Sequence, residues 1–477
     1  MLRDVKTIVT DNLLGINSSK GDGVHVKIGA SPVVSSTPII ITGSMSAAKI
    51  KAKLGLSPLA DAAMDAVDWG SNLIICIPVA ASTAGTLGAV TKTGTSGGTV
   101  TISGTPNNAF DIVIKITATG TLNTGSFKAS IDGGYSFTDE LTVPLSGNYE
   151  LTGTGVTVKF TEAVGDAANS FAVGDAFKAS TTKPAMTNSD VLAAITKLQT
   201  YSDYAFEYVH IVGESTAALW AAVSTAQAEL NDTYKKPMFF MLEAYTPNTE
   251  EAIDDYAERL ENDRKQVKNY NIQVVAARGM LVKMDGTTRE VNLAGLVSGL
   301  YSKASVQVCI GKTLPAAGFG VSKSKLVELR PSGVMTVIER LDTANYLTFR
   351  EYDGLDDFYV YHTFVLSPDD SDYRYAEDVR VLNKIIRKTR AEALKLLQDD
   401  IDLDDIQGEL ETRAKFMFPP LQDMINAKEI SSAALTVPEG QESTFIETQI
   451  MKVKIRYVDR GHIREVEVDL GRSPAGE

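Results

Sequence analysis

The sequence holds very little from which a redox or metal centre could be built. Only two cysteines occur in 477 residues, Cys76 and Cys309. Both sit in apolar runs, LIICIPV and VQVCIG, the setting of buried reduced thiols, so neither a disulfide nor a metal site is expected. The four histidines, His25, His210, His362 and His462, lie far apart, and none has a second ligand type at metal spacing. No cofactor is expected. Positive charge is also short, with 46 Lys and Arg against 60 Asp and Glu and a net charge of −14. A polyanion is repelled by such a chain, so no nucleic-acid contact is expected. No apolar run reaches the ~18–20 residues of a membrane span, and the opening MLRDVKTIVT lacks the apolar core of a signal peptide.

Catalytic signatures fail on inspection. Gly311-Lys312-Thr313 follows an apolar run, but a phosphate loop needs glycine five residues before Gly311, where Val306 stands. Asp400, Asp402, Asp404 and Glu411 match ligand positions of a calcium loop, but its sixth position, which needs glycine for the sharp turn, is Asp405. No G-x-S-x-G elbow occurs, and His362 lies in the alternating run YVYHTFVL as a strand residue. No catalytic residue is assigned, and no enzymatic activity is expected.

What is present is ordinary globular composition, 44% hydrophobic and 22% charged, in a chain too long for one compact core. Ile39–Gly43 and Leu73–Val79 read as buried strands, with helices over Ser46–Leu54 and Leu59–Val67 between them. From Ala84 to about Thr182 the chain turns to Thr, Gly, Ser and Val. Short strands are predicted there at Thr99–Ser103, Phe110–Thr117, Phe127–Ile131, Asn148–Leu151 and Val156–Phe160, with a turn at Asp132-Gly133-Gly134. A βαβ pattern then resumes. It comprises Ser189–Leu198 (helix), Tyr208–Val212 (strand), Ser215–Leu230 (helix), Met238–Ala244 (strand), Asn248–Tyr270 (helix), Ile272–Ala276 (strand), Val291–Ser302 (helix) and Ser305–Ile310 (strand). Further strands are expected over Val334–Arg340, Tyr346–Glu351 and Phe358–Val365. A helical region from Leu403 to about Ala427 should be divided by Phe418-Pro419-Pro420.

The expected fold class is an α/β core with an inserted all-β domain and an α+β C-terminal domain, with extended terminal arms. The expected boundaries are 1–25 for an N-terminal arm, 26–83 and 185–330 for the α/β core, 84–184 for an inserted β-sandwich or barrel, and 331–477 for the C-terminal domain. The insert interrupts a pattern that resumes after it, as an insertion in a surface loop does.

Two stretches suggest docking. In DYRYAEDVRVLNKIIRKTRAEALKLL, Val379, Leu382, Ile386, Ala393 and Leu396 share one helical stripe, and Arg380, Lys384, Arg387 and Lys395 the opposite one. Seven acids follow between Asp399 and Glu411. Such a stripe is either a docking surface or a solvated helix face. At the C-terminus, Met451, Val453, Ile455 and Tyr457 alternate with basic residues, and Val466, Val468 and Leu470 with acidic ones. A turn at Arg460-Gly461 would set Arg456 opposite Glu465 and Lys454 opposite Glu467. The preferred Asn-Gly or Asp-Gly turn is absent, which leaves pairing with another chain open.

The order of parts resembles the contractile tail sheath proteins of phage tails, tail-like bacteriocins and contractile injection systems. The resemblance rests on DYRYAEDVRVLNKIIRKTRAEAL, on GTLNTGSFKASIDGGYSFTDEL, FAVGDAFKAST and KPAMTNSDVLAAI, and on the α/β core interrupted by a β-domain. It implies a homo-oligomer of stacked rings around a tail tube protein, bounded by baseplate and tail terminator proteins. It further implies location in a virion tail or tail-like particle assembled in the bacterial host cytoplasm, and contraction that drives the tube through a cell envelope. On that reading Arg380, Lys384, Arg387 and Lys395 face the tube and the insert faces outward. Val5, Thr7 and Val9, with Val453, Ile455, Val466 and Val468, would then lie in strands shared between subunits. A β-rich baseplate or surface adhesin protein, and an α/β enzyme, are the alternatives.

Overall fold

A computed structural model describes residues 22–472. The chain divides into two compact units. One runs to Ser305 and resumes over Ile310–Val379, and the other comprises Val306–Cys309 and the chain from Arg380 onward.

The first unit opens with β1 (His25–Ala30) and β2 (Ile39–Thr42), then α1 (Ala47–Leu54) and α2 (Pro58–Asp68), then β3 (Leu73–Val79). Ser46 and Ser57 cap the two helices, their hydroxyls accepting from Lys49 N and Ala60 N. The chain next makes eight short strands: β4 (Thr91–Thr93), β5 (Thr99–Gly104), β6 (Asp111–Ala118), β7 (Ser126–Ser130), β8 (Leu141–Thr142), β9 (Asn148–Leu151), β10 (Val156–Thr161) and β11 (Ala176–Ser180). They form a three-stranded sheet, β5-β10-β9, and a five-stranded sheet, β4-β11-β6-β7-β8. Alternate residues of both sheets, including Val100, Val158, Phe160, Ile112, Ile114, Ile116, Phe127 and Phe177, enter one apolar cluster. Phe160 sits at its centre, 4.8 Å from Phe127 and 5.5 Å from Phe171.

The α/β pattern then resumes with α3 (Asn188–Thr200), β12 (Tyr208–Ser215), α4 (Ala217–Asp232), β13 (Phe239–Ala244), α5 (Ile253–Arg264) and β14 (Ile272–Val275). The main sheet has the order β14-β13-β12-β1-β3-β2, with every neighbouring pair parallel except β2 and β3. Numbered along the chain, its parallel strands run 2-1-3-4-5, a doubly wound order with its switch point between β1 and β12. Alternation divides each strand between two helix layers. Leu73, Ile75 and Ile77 of β3 enter the cluster containing Trp220 and Tyr256, while Ile74 and Cys76 enter the cluster containing Leu59 and Met64.

Next come β15 (Arg278–Val282), β16 (Thr288–Asn292) and α6 (Ala294–Lys303). Gly295 and Gly299, one turn apart, let α6 lie directly on α2. A Cβ on Gly299 would stand 2.5 Å from Trp69 Cβ, and one on Gly295 would stand 2.9 Å from Asp65 Cβ. The unit closes with β17 (Val321–Ser322), β18 (Leu326–Arg330), α7 (Ile338–Thr343), β19 (Phe349–Glu351) and β20 (Asp357–Val360). β15 stands between β16 and β18, and β20 between β17 and β19. Two expected strands are absent. Val334–Arg340 forms a 3-10 turn and the start of α7, and Ser305–Ile310 is irregular. Val334, Val337 and Leu341 still enter the main core, so burial outweighed β-propensity.

The second unit holds most of α8 (Ala376–Ala393), then α9 (Ile406–Lys415), α10 (Pro419–Asn426), β21 (Ser432–Thr436), α11 (Glu442–Thr448) and β22 (Lys454–Val458). The boundary between the two compact units falls at Arg380. Pro419 and Pro420 open α10, which separates it from α9. Val306, Val381, Ile385, Leu421, Met424 and Ile430 form this unit's core, with Ile455 and Tyr457 packed against it.

Candidate assembly interface

The basic residues of α8 do not form one exposed stripe. Arg380 and Lys384 are buried, and Arg387 is half-buried. Lys384 Nζ reaches Glu429 Oε1 at 2.6 Å. Lys395, just beyond the helix, is exposed and pairs with Glu392 at 2.7 Å. Val379, Val381 and Ile385 are all buried, so the apolar face is wider than a single stripe and takes its flanking cations inside. Of the four cations expected on one stripe, Lys395 alone is exposed in the described chain. The exposed feature of this region is the turn after α8. Leu394, Leu397 and Leu403 are exposed there among Asp399, Asp400, Asp402 and Asp404. Arg413 fixes the turn, donating to Asp399 Oδ2 at 2.8 Å and to the Asp400 carbonyl at 2.6 Å.

The two C-terminal alternating segments also part company. β22 pairs antiparallel with β21, setting Arg456 opposite Ala434 and Lys454 opposite Thr436. Val453, Ile455 and Tyr457 face inward, and Lys452, Lys454 and Arg456 face outward. The hairpin that would set Arg456 opposite Glu465 is not formed. Residues 459–472 belong to no strand. Two polar side chains near the start of this stretch dock on the protein: His462 Nε2 lies 3.0 Å from the Gln307 carbonyl, and Arg464 donates to Cys309 Sγ at 3.2 Å. The apolar residues look outward, with Ile463 86%, Val466 73%, Val468 69% and Leu470 88% exposed. Glu465, Glu467 and Asp469 are exposed as well, so beyond Arg464 the segment lies open to whatever arrives next. Val5, Thr7 and Val9 lie outside the described residues.

The interior holds ionisable groups that periodicity could not reveal. On the α6-facing side of the main sheet, Lys27 Nζ lies 2.7 Å from both His210 Nδ1 and Ser298 Oγ, and His210 Nε2 lies 3.1 Å from Glu243 Oε1. Asp65 and Lys283 form a buried ion pair nearby. Burial pushes the Lys27 ammonium down to about 7 and the His210 imidazolium down to about 4, and it pushes the Cys76 thiol up to about 12. Beside this cluster a cleft of about 540 Å³ opens between the sheet and the β-insert. Arg278 lines it, held by Glu214 at 3.2 Å and Glu290 at 3.5 Å. The first turns of α2 and α6 also reach it, and Asp61 complements the positive end of α2. Among the described residues no group of three or more His, Cys, Asp or Glu is placed to hold a metal ion, and no helix is long and apolar enough to cross a membrane.

Comparison with known proteins follows the fold. No curated protein matches the sequence. A chain of the PVC sheath complex, an extracellular contractile injection system in its contracted state, superposes with a TM-score of 0.53 at 11% identity, covering 99% of both chains. The helical sheath of the anti-feeding prophage, also contracted, gives 0.51 at 9% identity and again 99% of both chains. The sheath tail protein of Desulfitobacterium hafniense is 17% identical, covers 92% of this chain and 93% of its own, and has a TM-score of 0.48. The first two likenesses show a sheath-protein fold. DUF2586 matches through its N-terminal domain over residues 2–362 and through its C-terminal domain over residues 372–476. With both domains matched in order, the chain belongs to the DUF2586 family.

Proposed function

We propose that the chain is the structural, non-enzymatic subunit of a contractile tail sheath, which polymerises around an inner tube and shortens to drive that tube through a cell envelope. The observation that carries this reading is end-to-end likeness to two sheath chains in their contracted state. The exposed apolar row of Ile463, Val466, Val468 and Leu470 supports it, because a subunit that assembles by strand addition needs an unpartnered strand-like segment. The acceptor would be a sheet edge of a neighbouring copy, and the N-terminal residues Val5, Thr7 and Val9 would take the reciprocal place. A shared ladder is local and moves as a unit, so it keeps a lattice connected while the bodies shift.

The tube contact is assigned to the end of α8 and the turn after it, with Lys395, Leu394, Leu397 and Leu403 at its surface. The acids of that turn call for a basic patch on the tube. Rings of subunits, a baseplate at one end and a terminator at the other, and assembly in the host cytoplasm complete the reading. Electron microscopy of the purified protein tests it. Long hollow polymers are expected. A monomer at every salt and protein concentration would sink the proposal, and specific binding of a small ligand in the cleft by such a monomer would favour an α/β enzyme.

A further inference from the structure

The β-insert is joined to the α/β body in an unusual way, tight at its root and loose along its flank. At the root the incoming and outgoing strands meet. Thr83 bridges Ala185, and Leu87 bridges Thr181. Between these bridges, Thr86 N donates to Thr182 Oγ1 at 2.8 Å, and the two hydroxyls lie 2.8 Å apart. Gly85 allows the crossing, since any Cβ there would collide with the carbonyls of Thr182 and Pro106. Beneath the ribbon, Asp190 ties both strands to the start of α3. Its carboxylate accepts from Ser82 N at 3.0 Å, Ser82 Oγ at 2.6 Å and Thr187 N at 2.8 Å. Thr187 in turn caps α3 through Asp190 N. Burial works against the Asp190 charge, but these hydrogen bonds outweigh it and hold the carboxyl down at about 2.

The flank is different. Asn108 Nδ2 donates to Asp61 Oδ2 at 2.8 Å, and Leu56, from the turn between α1 and α2, packs against the insert's apolar cluster. The rest of the seam is the charged cleft, where Arg278 is held by Glu214 and Glu290 and Lys283 by Asp65, all three pairs belonging to the body. These charges are satisfied whether or not the insert is seated. Interfaces of this polar kind permit relative motion of the modules they join.

We infer that the insert is a rigid arm pivoting on the Ser82–Asp190–Thr187 clamp, with the Asn108–Asp61 bond and the Leu56 contact as a latch that opens without unfolding either side. Opening widens the cleft and exposes Asp61 and Leu56, while both ends of the arm stay fixed.

The test is a distance measurement on the full chain. Spin labels are placed on Lys159→Cys in the insert and Lys197→Cys in α3. Both native residues are exposed, and the buried Cys76 and Cys309 are left in place. With the latch intact, pulsed EPR should give one narrow distance distribution. Asn108→Ala combined with Leu56→Ser should broaden it roughly twofold or more. Hydrogen exchange within β5, β6 and β10 should stay unchanged, as a rigid arm requires. An unaltered distribution would overturn the inference, and so would faster exchange throughout the insert, which would mean that the latch residues hold the insert folded. Asp190→Asn provides an independent arm. It leaves the latch in place but weakens the pivot, so it should speed hydrogen exchange at residues 82–87 and 181–187 while leaving the seated distance as the main population. Loss of that main population would show that the clamp, not the latch, seats the insert, and would also overturn the proposal.

Discussion

The main sheet and the C-terminal segment 463–470 carry comparable β-forming sequence and meet opposite fates. In the sheet, Ile74, Ile75, Cys76 and Ile77 are covered on both faces, and every strand has a ladder partner. In the segment, Val466, Val468 and Leu470 alternate with acidic residues, Ile463 stands three positions before Val466, and all four are exposed. The difference lies in neighbours, not in propensity. A strand in a helix-covered sheet gains from both faces, whereas an alternating strand gains only when a sheet edge is within reach. β22 found that edge in β21, and the segment after it did not. Good strand sequence is thus left uncovered at Val466, Val468 and Leu470.

The comparison is sharpened most by cutting the segment away. Removing residues 460–477 should abolish polymers while shifting the melting temperature of the remaining body by less than ~2 °C, since little buried apolar surface is lost. Sedimentation velocity beside calorimetry would read both, and polymers that persist after the cut would refute the role of the segment. The reverse pattern is expected in the sheet layer. Trp220, fully buried with its indole N–H on Ser215 Oγ at 2.8 Å, should cost about 3–5 kcal/mol when changed to Ala. Val468→Asp should leave stability within ~0.5 kcal/mol yet block assembly.

Next in size is the contrast between two lysines of the α8 region. Lys384→Ala leaves the part-buried Glu429 without its cation and should cost about 3 kcal/mol by denaturant titration. Lys395→Ala removes an exposed pair and should cost at most about 0.5 kcal/mol. Equal losses would mean that the burial difference carries no energetic weight.

The interior bases give a slower, graded signal. His210 falls from an ordinary 6.5 to about 4, and Lys27 from 10.5 to about 7, so across each window the unfolded chain binds more protons than the folded one. Stability should therefore rise with pH, from about 4 to 6.5 through His210 and from about 7 to 10 through Lys27. On acidification each contribution is lost as pH falls toward the folded value. His210→Gln should flatten the lower limb and Lys27→Met the upper one. A urea midpoint that is flat from pH 5 to pH 9 in the unmodified chain would dismiss the effect.

Much of this could be read in advance where burial and pattern agree. Leu73–Val79 is uniformly apolar and forms a strand with those bounds. Phe418-Pro419-Pro420 divides two helices as proline chemistry requires. β1 was hidden by its own polar residues, since HVKIGA offers no apolar run although all six residues are buried at the centre of the sheet. His25 stacks on Tyr208 at 4.9 Å and Lys27 bonds across to His210, contacts made over more than 180 residues of sequence. β15 and β16 were missed because Arg278 and Glu290 interrupt their alternation, and those same charges line the cleft. On α8 the helical pattern conceals burial instead. A basic residue on a helix wheel looks solvated until a partner such as Glu429, 45 positions later, is seen to fold against it.

The bridge between Thr83 and Ala185 has a practical consequence. It sets the two ends of a hundred-residue module side by side, about 5 Å apart as in any antiparallel pair. Whatever is threaded between them needs only adjacent termini of its own, and the carboxylate of Asp190 holds the junction shut beneath it. The locus is a grafting socket. A foreign domain spliced there, between Thr86 and Thr182, would be carried once per subunit. On the proposed helical polymer it would repeat at the pitch of the lattice, a regular display scaffold in which the segments proposed to carry assembly are left unchanged.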